Sequence, residues 1–128
     1  MKIAASTVSL TVADVAASQA FLTDHLGYTT QADADGFASL TRSDAVDIVL
    51  LARGTEVLPP EQRDQQASGL ILAFTLEGGL DDEEKRLRDA GVEITMALRE
   101  EPWGERLFQI TDPNGVIIQF VEWTTPAA

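Results

Sequence analysis

The chain has 128 residues, enough for one domain with a real core, and 45% of them are hydrophobic, as in an ordinary globular protein. It lacks cysteine, which excludes a disulfide framework, a thiolate nucleophile and any cysteine-based metal site. With 9 basic against 21 acidic residues the formal net charge is −12, which argues against nucleic acid, whose phosphates need lysine and arginine, and favours cationic over anionic small molecules. No apolar run reaches the roughly 18 residues of a membrane span. Met1-Lys2 leads straight into a strand pattern without the features of a signal peptide, so a cytoplasmic protein with no membrane contact is expected.

Residues 3–12 alternate, with Val8, Leu10 and Val12 on one side and Thr7, Ser9 and Thr11 on the other. A period of two predicts a strand with one apolar and one polar face. Asp14 is suited to cap a helix over residues 15–26, whose apolar side is Val15, Phe21, Leu22 and Leu26 and whose stop is Gly27. Three short strands follow over residues 28–33, 37–42 and 46–52, with turns at Asp35-Gly36 and Ser43-Asp44. The next stretch, through residue 68, is polar, contains Pro59-Pro60 and has no period. Residues 54–68 are read as a linker or a loop over a site.

The pattern then restarts. Residues 70–76 read as a strand, 80–90 as a charged helix stopped by Gly91, and 92–98 as a strand. Residues 103–123 form a hairpin: a loop at Trp103-Gly104, a strand over 106–111, a turn over 112–115 and a strand over 116–123. Pro113 presets φ in that turn, and Asn114-Gly115 tolerates positive φ. Gln119 is a lone amide among Val116, Ile117, Ile118, Phe120 and Val121, and it needs a partner, because an unsatisfied buried amide costs about 1–3 kcal/mol. The order βαβββ thus occurs twice. Val12 and Leu76 stand 64 positions apart, as do Gly27 and Gly91, so the second half repeats the first. The expected fold class is α+β, one domain over residues 1–128, with module one at 1–53, the linker at 54–68 and module two at 69–128.

Val12, Asp14, Phe21-Leu22 and Leu26-Gly27-Tyr28 in the first half, with WGER at 103–106 and DPNGVIIQF at 112–120 in the second, resemble the vicinal oxygen chelate superfamily of glyoxalases, bleomycin resistance proteins and extradiol dioxygenases. The resemblance covers nearly the whole chain. It implies two βαβββ modules forming a cup-shaped mixed sheet around a ligand, usually in a homodimer. In the enzymes of that superfamily, His and Glu at four strand positions hold a divalent metal. Carried over one by one, those positions fall at Thr7, about Val49, about Leu70 and Gln119. Threonine, valine, leucine and glutamine do not supply the converging imidazoles and carboxylates that such a metal requires. The one histidine, His25, lies near the end of the first helix, away from the strands. No metal, no cofactor and no catalytic residue is therefore expected, and no nucleophile–base pair is visible. The resemblance then points to the sister class without metal ligands, the drug-binding resistance proteins, which sequester an antibiotic in the grooves of a dimer.

Strand parity extends the matched positions. Thr7 carries Ser9 and Thr11 with it, and Gln119 carries Ile117 and Val121; Asp47, Val49 and Leu51 share a face, as do Leu70, Leu72 and Phe74, and Arg106 with Phe108. Trp103, between Pro102 and Gly104, offers a flat face in a loop, and the resemblance implies that it stacks on a planar group of the ligand. The expected ligand-binding residues are Thr7, Ser9, Asp47, Val49, Leu51, Leu72, Phe74, Trp103, Arg106, Phe108 and Gln119. Competing structural roles are core packing for Phe74 and Phe108, a surface pair with Glu105 or Glu122 for Arg106, and an edge or dimer contact for Trp123. The expected function is non-catalytic binding and sequestration of a hydrophobic or aromatic small molecule, such as an antibiotic, by a homodimer with no nucleic-acid partner. The alternative is a lyase, isomerase or dioxygenase with an unusual or absent metal site, for which Asp47, Glu122 and Gln119 are the available assets.

Overall fold

The structure is a computed structural model and describes residues 1–124. The chain divides into two compact units, Met1–Ser68 and Gly69–Ala128. The first contains β1 (Thr7–Val12), α1 (Val15–Leu26), β2 (Thr29–Ala34), β3 (Phe37–Thr41), β4 (Asp47–Ala52) and a short 3-10 turn at Pro60–Gln62. The second contains β5 (Ile71–Thr75), α2 (Leu80–Asp89), β6 (Ile94–Glu100), β7 (Glu105–Thr111) and β8 (Ile117–Trp123). Each unit is one βαβββ module with a four-stranded mixed sheet, ordered β1-β4-β3-β2 in the first and β5-β8-β7-β6 in the second.

In the first unit β1 runs parallel to β4, in register from Thr7↔Asp47 to Val12↔Ala52. The ladder starts only at Thr7, preceded by the Asp47 N–H donating to the Ser6 carbonyl at 3.2 Å, so the strand expected from residue 3 is four residues shorter than the alternation suggests. Leu10, Val12, Ala38, Leu40, Ile48 and Leu50 form the buried face, and Leu22 and Leu26 of α1 are buried with them. Each such leucine contributes about 1.5–3 kcal/mol by leaving water. Asp14 caps α1 as expected, its Oδ1 accepting from the Ala17 N–H at 3.1 Å, and the helix ends at Gly27 in the left-handed conformation, φ 69°. Phe21 is only half-buried and packs edge-on against His25, ring centroids 5.1 Å apart.

Tyr28, expected to open a strand, instead plugs the end of α1. It is 4% exposed, and its hydroxyl donates to the Val46 carbonyl at 2.8 Å. Burial pushes its phenol up to about 12, an effect that the Arg42 charge opposes and Asp47 and Asp44 reinforce. Arg42 in turn donates to the Leu26 carbonyl at the helix end and pairs with Asp44 at 2.6 Å. The stretch over 54–68 is tied down as well. Gly54 N–H donates to the Arg63 carbonyl at 2.6 Å, Arg63 Nε donates to the Leu58 carbonyl at 2.8 Å, and Ala67 N–H donates to the Thr11 carbonyl of β1 at 2.7 Å.

In the second unit β5 runs parallel to β8, and β8, β7 and β6 follow antiparallel. Leu80 and Leu87 anchor α2. The rest of the helix surface is charged, with Asp81, Asp82 and Glu83 in the first turn and Arg86 and Arg88 in the last, the arrangement that complements the helix dipole. Pairs at one-turn spacing lace it: Arg86–Glu83 at 2.8 Å, Lys85–Asp89 at 2.7 Å and Arg88–Glu84 at 3.4 Å. Val92, expected to begin a strand, is buried against the helix end, its N–H donating to the Leu87 carbonyl at 2.9 Å, and β6 begins two residues later. Asp112 organises the hairpin turn by accepting from the Asn114 N–H at 2.9 Å and the Val116 N–H at 2.8 Å. Among the described residues, no helix is long and apolar enough to cross a membrane.

Candidate functional site

Each sheet has one face packed under its own helix and one turned away from it. In the first unit the away face carries Thr7, Ser9 and Thr11 of β1 beside Asp47, Val49 and Leu51 of β4, since these are direct partners in the parallel register. Ser39 and Phe37 of β3 extend it as partners of Val49 and Leu51. Thr7 and Ser9 are exposed, Asp47, Val49 and Leu51 half-buried, and Thr11 buried. The parity read from sequence is therefore met here, and the face is mixed, with hydroxyls and one carboxylate set among aliphatic side chains.

The second unit departs from expectation. Its away face holds Ile71, Ala73 and Thr75 of β5, Ile117, Gln119, Val121 and Trp123 of β8, and Glu105, Leu107, Gln109 and Thr111 of β7. Leu72, Phe74, Arg106 and Phe108, expected beside Gln119, lie on the opposite face, under α2. The parallel pairs Ala73↔Gln119 and Leu72↔Ile118 and the antiparallel pairs Gln109↔Gln119 and Phe108↔Phe120 require it. Phe74 and Phe108 flank Phe120 there, at centroid distances of 5.9 and 5.1 Å, as core. Arg106 is a clamp between α2 and β8, donating to Asp81 Oδ1 at 2.7 Å and to Glu122 Oε2 at 2.8 Å, with the Asp81 bond as the main reason its guanidinium is held even more firmly protonated than usual. Leu70 precedes β5, so the first residue of that strand on the away face is Ile71, 64 positions after Thr7 and paired with Ile117 as Thr7 is with Asp47.

The partner that Gln119 requires is Gln109. Its Nε2 donates to Gln119 Oε1 at 2.9 Å across the hairpin. This amide pair is half-buried, with exposed Ile71, Ala73 and Ile117 and buried Leu107 and Val121 on the same face. Ile71 and Ile117 are 50% and 37% exposed, unusual for large aliphatic side chains on a strand. The remaining donor of Gln119 and the remaining acceptor of Gln109 can serve a ligand. Gln109 was missed from sequence, yet a signal for it exists: counting outward in step from Asp112 and Val116, whose backbones pair at the turn, brings Gln109 opposite Gln119.

At the far end of the same face stands Trp103, 62% exposed. Its loop is a tight turn closed by the Gly104 N–H donating to the Glu101 carbonyl at 3.0 Å, and the loop is fastened to the end of β8 by Thr124, whose N–H and hydroxyl both donate to the Gly104 carbonyl at 2.9 Å. Gly104 has φ 91°, and a Cβ there would meet Thr124 Oγ1 at 2.9 Å, so the approach needs glycine. The indole Nε1 donates to Glu105 Oε1 at 3.2 Å.

A divalent metal does not fit these faces. Thr7 and Val49 on the first unit and Ile71 and Gln119 on the second offer one hydroxyl and one amide, and among the described residues no group of three or more His, Cys, Asp or Glu is placed to hold an ion. A shallow cleft of about 600 Å³ in the first unit, lined by residues 4–6, 41–43 and 45–47, reaches Asp47 but contains no aromatic side chain.

Comparison with known proteins agrees with this architecture. Residues 4–120 match the family model of the Glyoxalase/Bleomycin resistance protein/Dioxygenase superfamily, and the chain belongs to that superfamily. No curated protein matches the chain. Among solved structures, a glyoxalase/bleomycin resistance protein/dioxygenase from Nocardioides is similar at 24% identity and TM-score 0.78, over 100% of this chain and 90% of that one. An integron cassette protein from the mobile metagenome of V. Cholerae is similar at 27% identity and TM-score 0.73, over 97% and 98%. A lactoylglutathione lyase from Agrobacterium tumefaciens shares the fold at 17% identity and TM-score 0.76, over 94% of each chain.

Proposed function

We propose that this protein binds and sequesters a hydrophobic or aromatic small molecule, such as an antibiotic or another natural product, without transforming it and without a metal. The observation that carries the reading is the away face of the second unit: exposed Ile71 and Ile117, a half-buried amide pair and an exposed Trp103, in a chain with Thr7, Val49, Ile71 and Gln119 where a metal would need imidazoles or carboxylates. Apolar walls with a few placed polar groups are the usual composition of a small-molecule site. A protein of this kind acts as a homodimer in the cytoplasm in our reading.

The enzymatic alternative is weakened by its own assets. Glu122 is engaged by Arg106 on the face opposite Gln119, so these two groups do not converge on one substrate atom. Two measurements test the proposal. A thermal-shift panel of hydrophobic and aromatic natural products, run with a chelator present, should return compounds that raise the melting temperature by mass action. Stoichiometric metal retained after dialysis, or loss of every shift on chelation, would overturn it.

A further inference from the structure

The acidic end of the second unit's away face has a composition that hydrophobic binding alone does not explain. Trp103 and Trp123 are 62% and 51% exposed, and both adjoin the same carboxylate. Glu105 is the direct cross-strand partner of Trp123, which places the two side chains on one face as near neighbours, and it accepts the Trp103 indole N–H at 3.2 Å. Among the described residues, none of the ion pairs engages it. The adjacent Arg106 is turned to the other face and held by Asp81 and Glu122. Arg99, which pairs with Leu107 on the Glu105 face, is occupied by Glu101 at 2.7 Å. A carboxylate outside the ion pairs, bonded to one exposed indole and cross-strand from another, in a chain of net charge −12, is complementary to a positive organic group.

We propose that Trp103, Glu105 and Trp123 form a subsite for an organic cation, a quaternary or protonated amine carried by the ligand. The inference rests on the small-molecule reading above and adds the charge class of the molecule. The indole faces supply the attraction of a ring quadrupole for a cation, and Glu105 supplies the counter-charge. The Trp103 N–H bond ties that carboxylate to the loop indole. The amide pair of Gln109 and Gln119, farther along the same face, is left to read a neutral polar edge of the same ligand.

The experiment is a tryptophan-fluorescence titration of the full chain with choline and, separately, with the uncharged alcohol in which carbon replaces its nitrogen. Shape is thereby constant and only charge differs. Choline should bind about ten-fold tighter than its neutral counterpart, and the preference should fall with added salt. Glu105→Gln and Trp123→Leu should each remove most of the preference while leaving the circular dichroism spectrum unchanged. Equal binding of the two probes, binding of neither, or a preference that survives in both variants overturns the proposal. A loss of self-association in Trp123→Leu without any response to choline also overturns it, and assigns the indoles to a contact between copies. The parent reading fails differently: if neutral aromatic compounds bind with no preference for charge, only the cation subsite falls, whereas no binding by aromatic compounds or choline removes both.

Discussion

The two modules share an element order, a sheet order and a register, and they differ in what they put at equivalent places. Thr7↔Asp47 in the first becomes Ile71↔Ile117 in the second, and Ser9↔Val49 becomes Ala73↔Gln119. The helices diverge in the opposite sense. α1 has no acidic residue in its first turn and is fixed by Asp14 at its start and by Ser18, Leu22 and Leu26 along its buried side. α2 starts at Gly79 without a side-chain cap, buries two leucines, and is otherwise held by ion pairs and by Arg106. At the Thr7↔Asp47 and Ile71↔Ile117 pairs the away face is thus polar in the first module and apolar in the second, while the second helix carries more charge than the first. The duplicated backbone needs only one buried face per sheet, so the other face and the outer side of the helix are free to specialise.

The largest effect should come from the sparser helix. Leu87→Ala removes one of the two buried anchors of α2, and we expect a loss of about 3 kcal/mol in urea denaturation, within the usual range for a leucine truncated in a core. A loss below about 1 kcal/mol, the scale of a surface change, would mean that the ion pairs and not burial hold α2.

Tyr28 sharpens the comparison from the first module, because the second has no tyrosine. Its phenol is pushed from 10.0 to about 12 by burial. The folded state holds the proton more tightly than the unfolded state, so this stabilisation is complete below pH 10 and is lost as pH rises toward 12. At about 1.4 kcal/mol per unit, roughly 2–3 kcal/mol of stability should vanish across that window. As the chain has one tyrosine, tyrosinate absorbance reports it alone. Half-ionisation near 10 in the folded protein would refute the buried hydroxyl and its bond to Val46.

A smaller effect is expected for Arg106→Ala. Its guanidinium is about a quarter exposed and links Asp81 to Glu122, so a loss of roughly 1 kcal/mol, diminishing with salt, should appear in denaturation midpoints. No change in ligand affinity should accompany it, since Arg106 lies on the α2 face. An affinity loss without a stability loss would return Arg106 to the binding set.

Most of this frame could be read before any coordinates. The alternation of Val8, Leu10 and Val12, the Asp14 cap, the Gly27 stop and the Asp-Pro-Asn-Gly turn each have a local cause, and the 64-residue spacing exposed the repeat. The faces of the second sheet were not legible. Ile71 and Leu72, Ile117 and Ile118, and Phe120 and Val121 put apolar side chains on both sides of their strands, so alternation disappears and parity must come from register. A one-residue error at Leu70 therefore moved Leu72 and Phe74 to the wrong face, and the same loss of alternation misplaced Arg106 and Phe108. The first sheet escaped because Thr7, Ser9 and Asp47 mark its polar side unambiguously.

The proposed binding surface is the away face of the second module, working without a metal. Calorimetric titration of wild type and Trp103→Ala, with chelator present and with the compound giving the largest thermal shift, tests it most directly. Trp103 is 62% exposed in a loop, so its removal should weaken binding by roughly 1–3 kcal/mol through lost stacking and apolar contact while barely moving the melting temperature. Unchanged affinity together with a large drop in melting temperature, or binding that disappears with the chelator, would contradict the account.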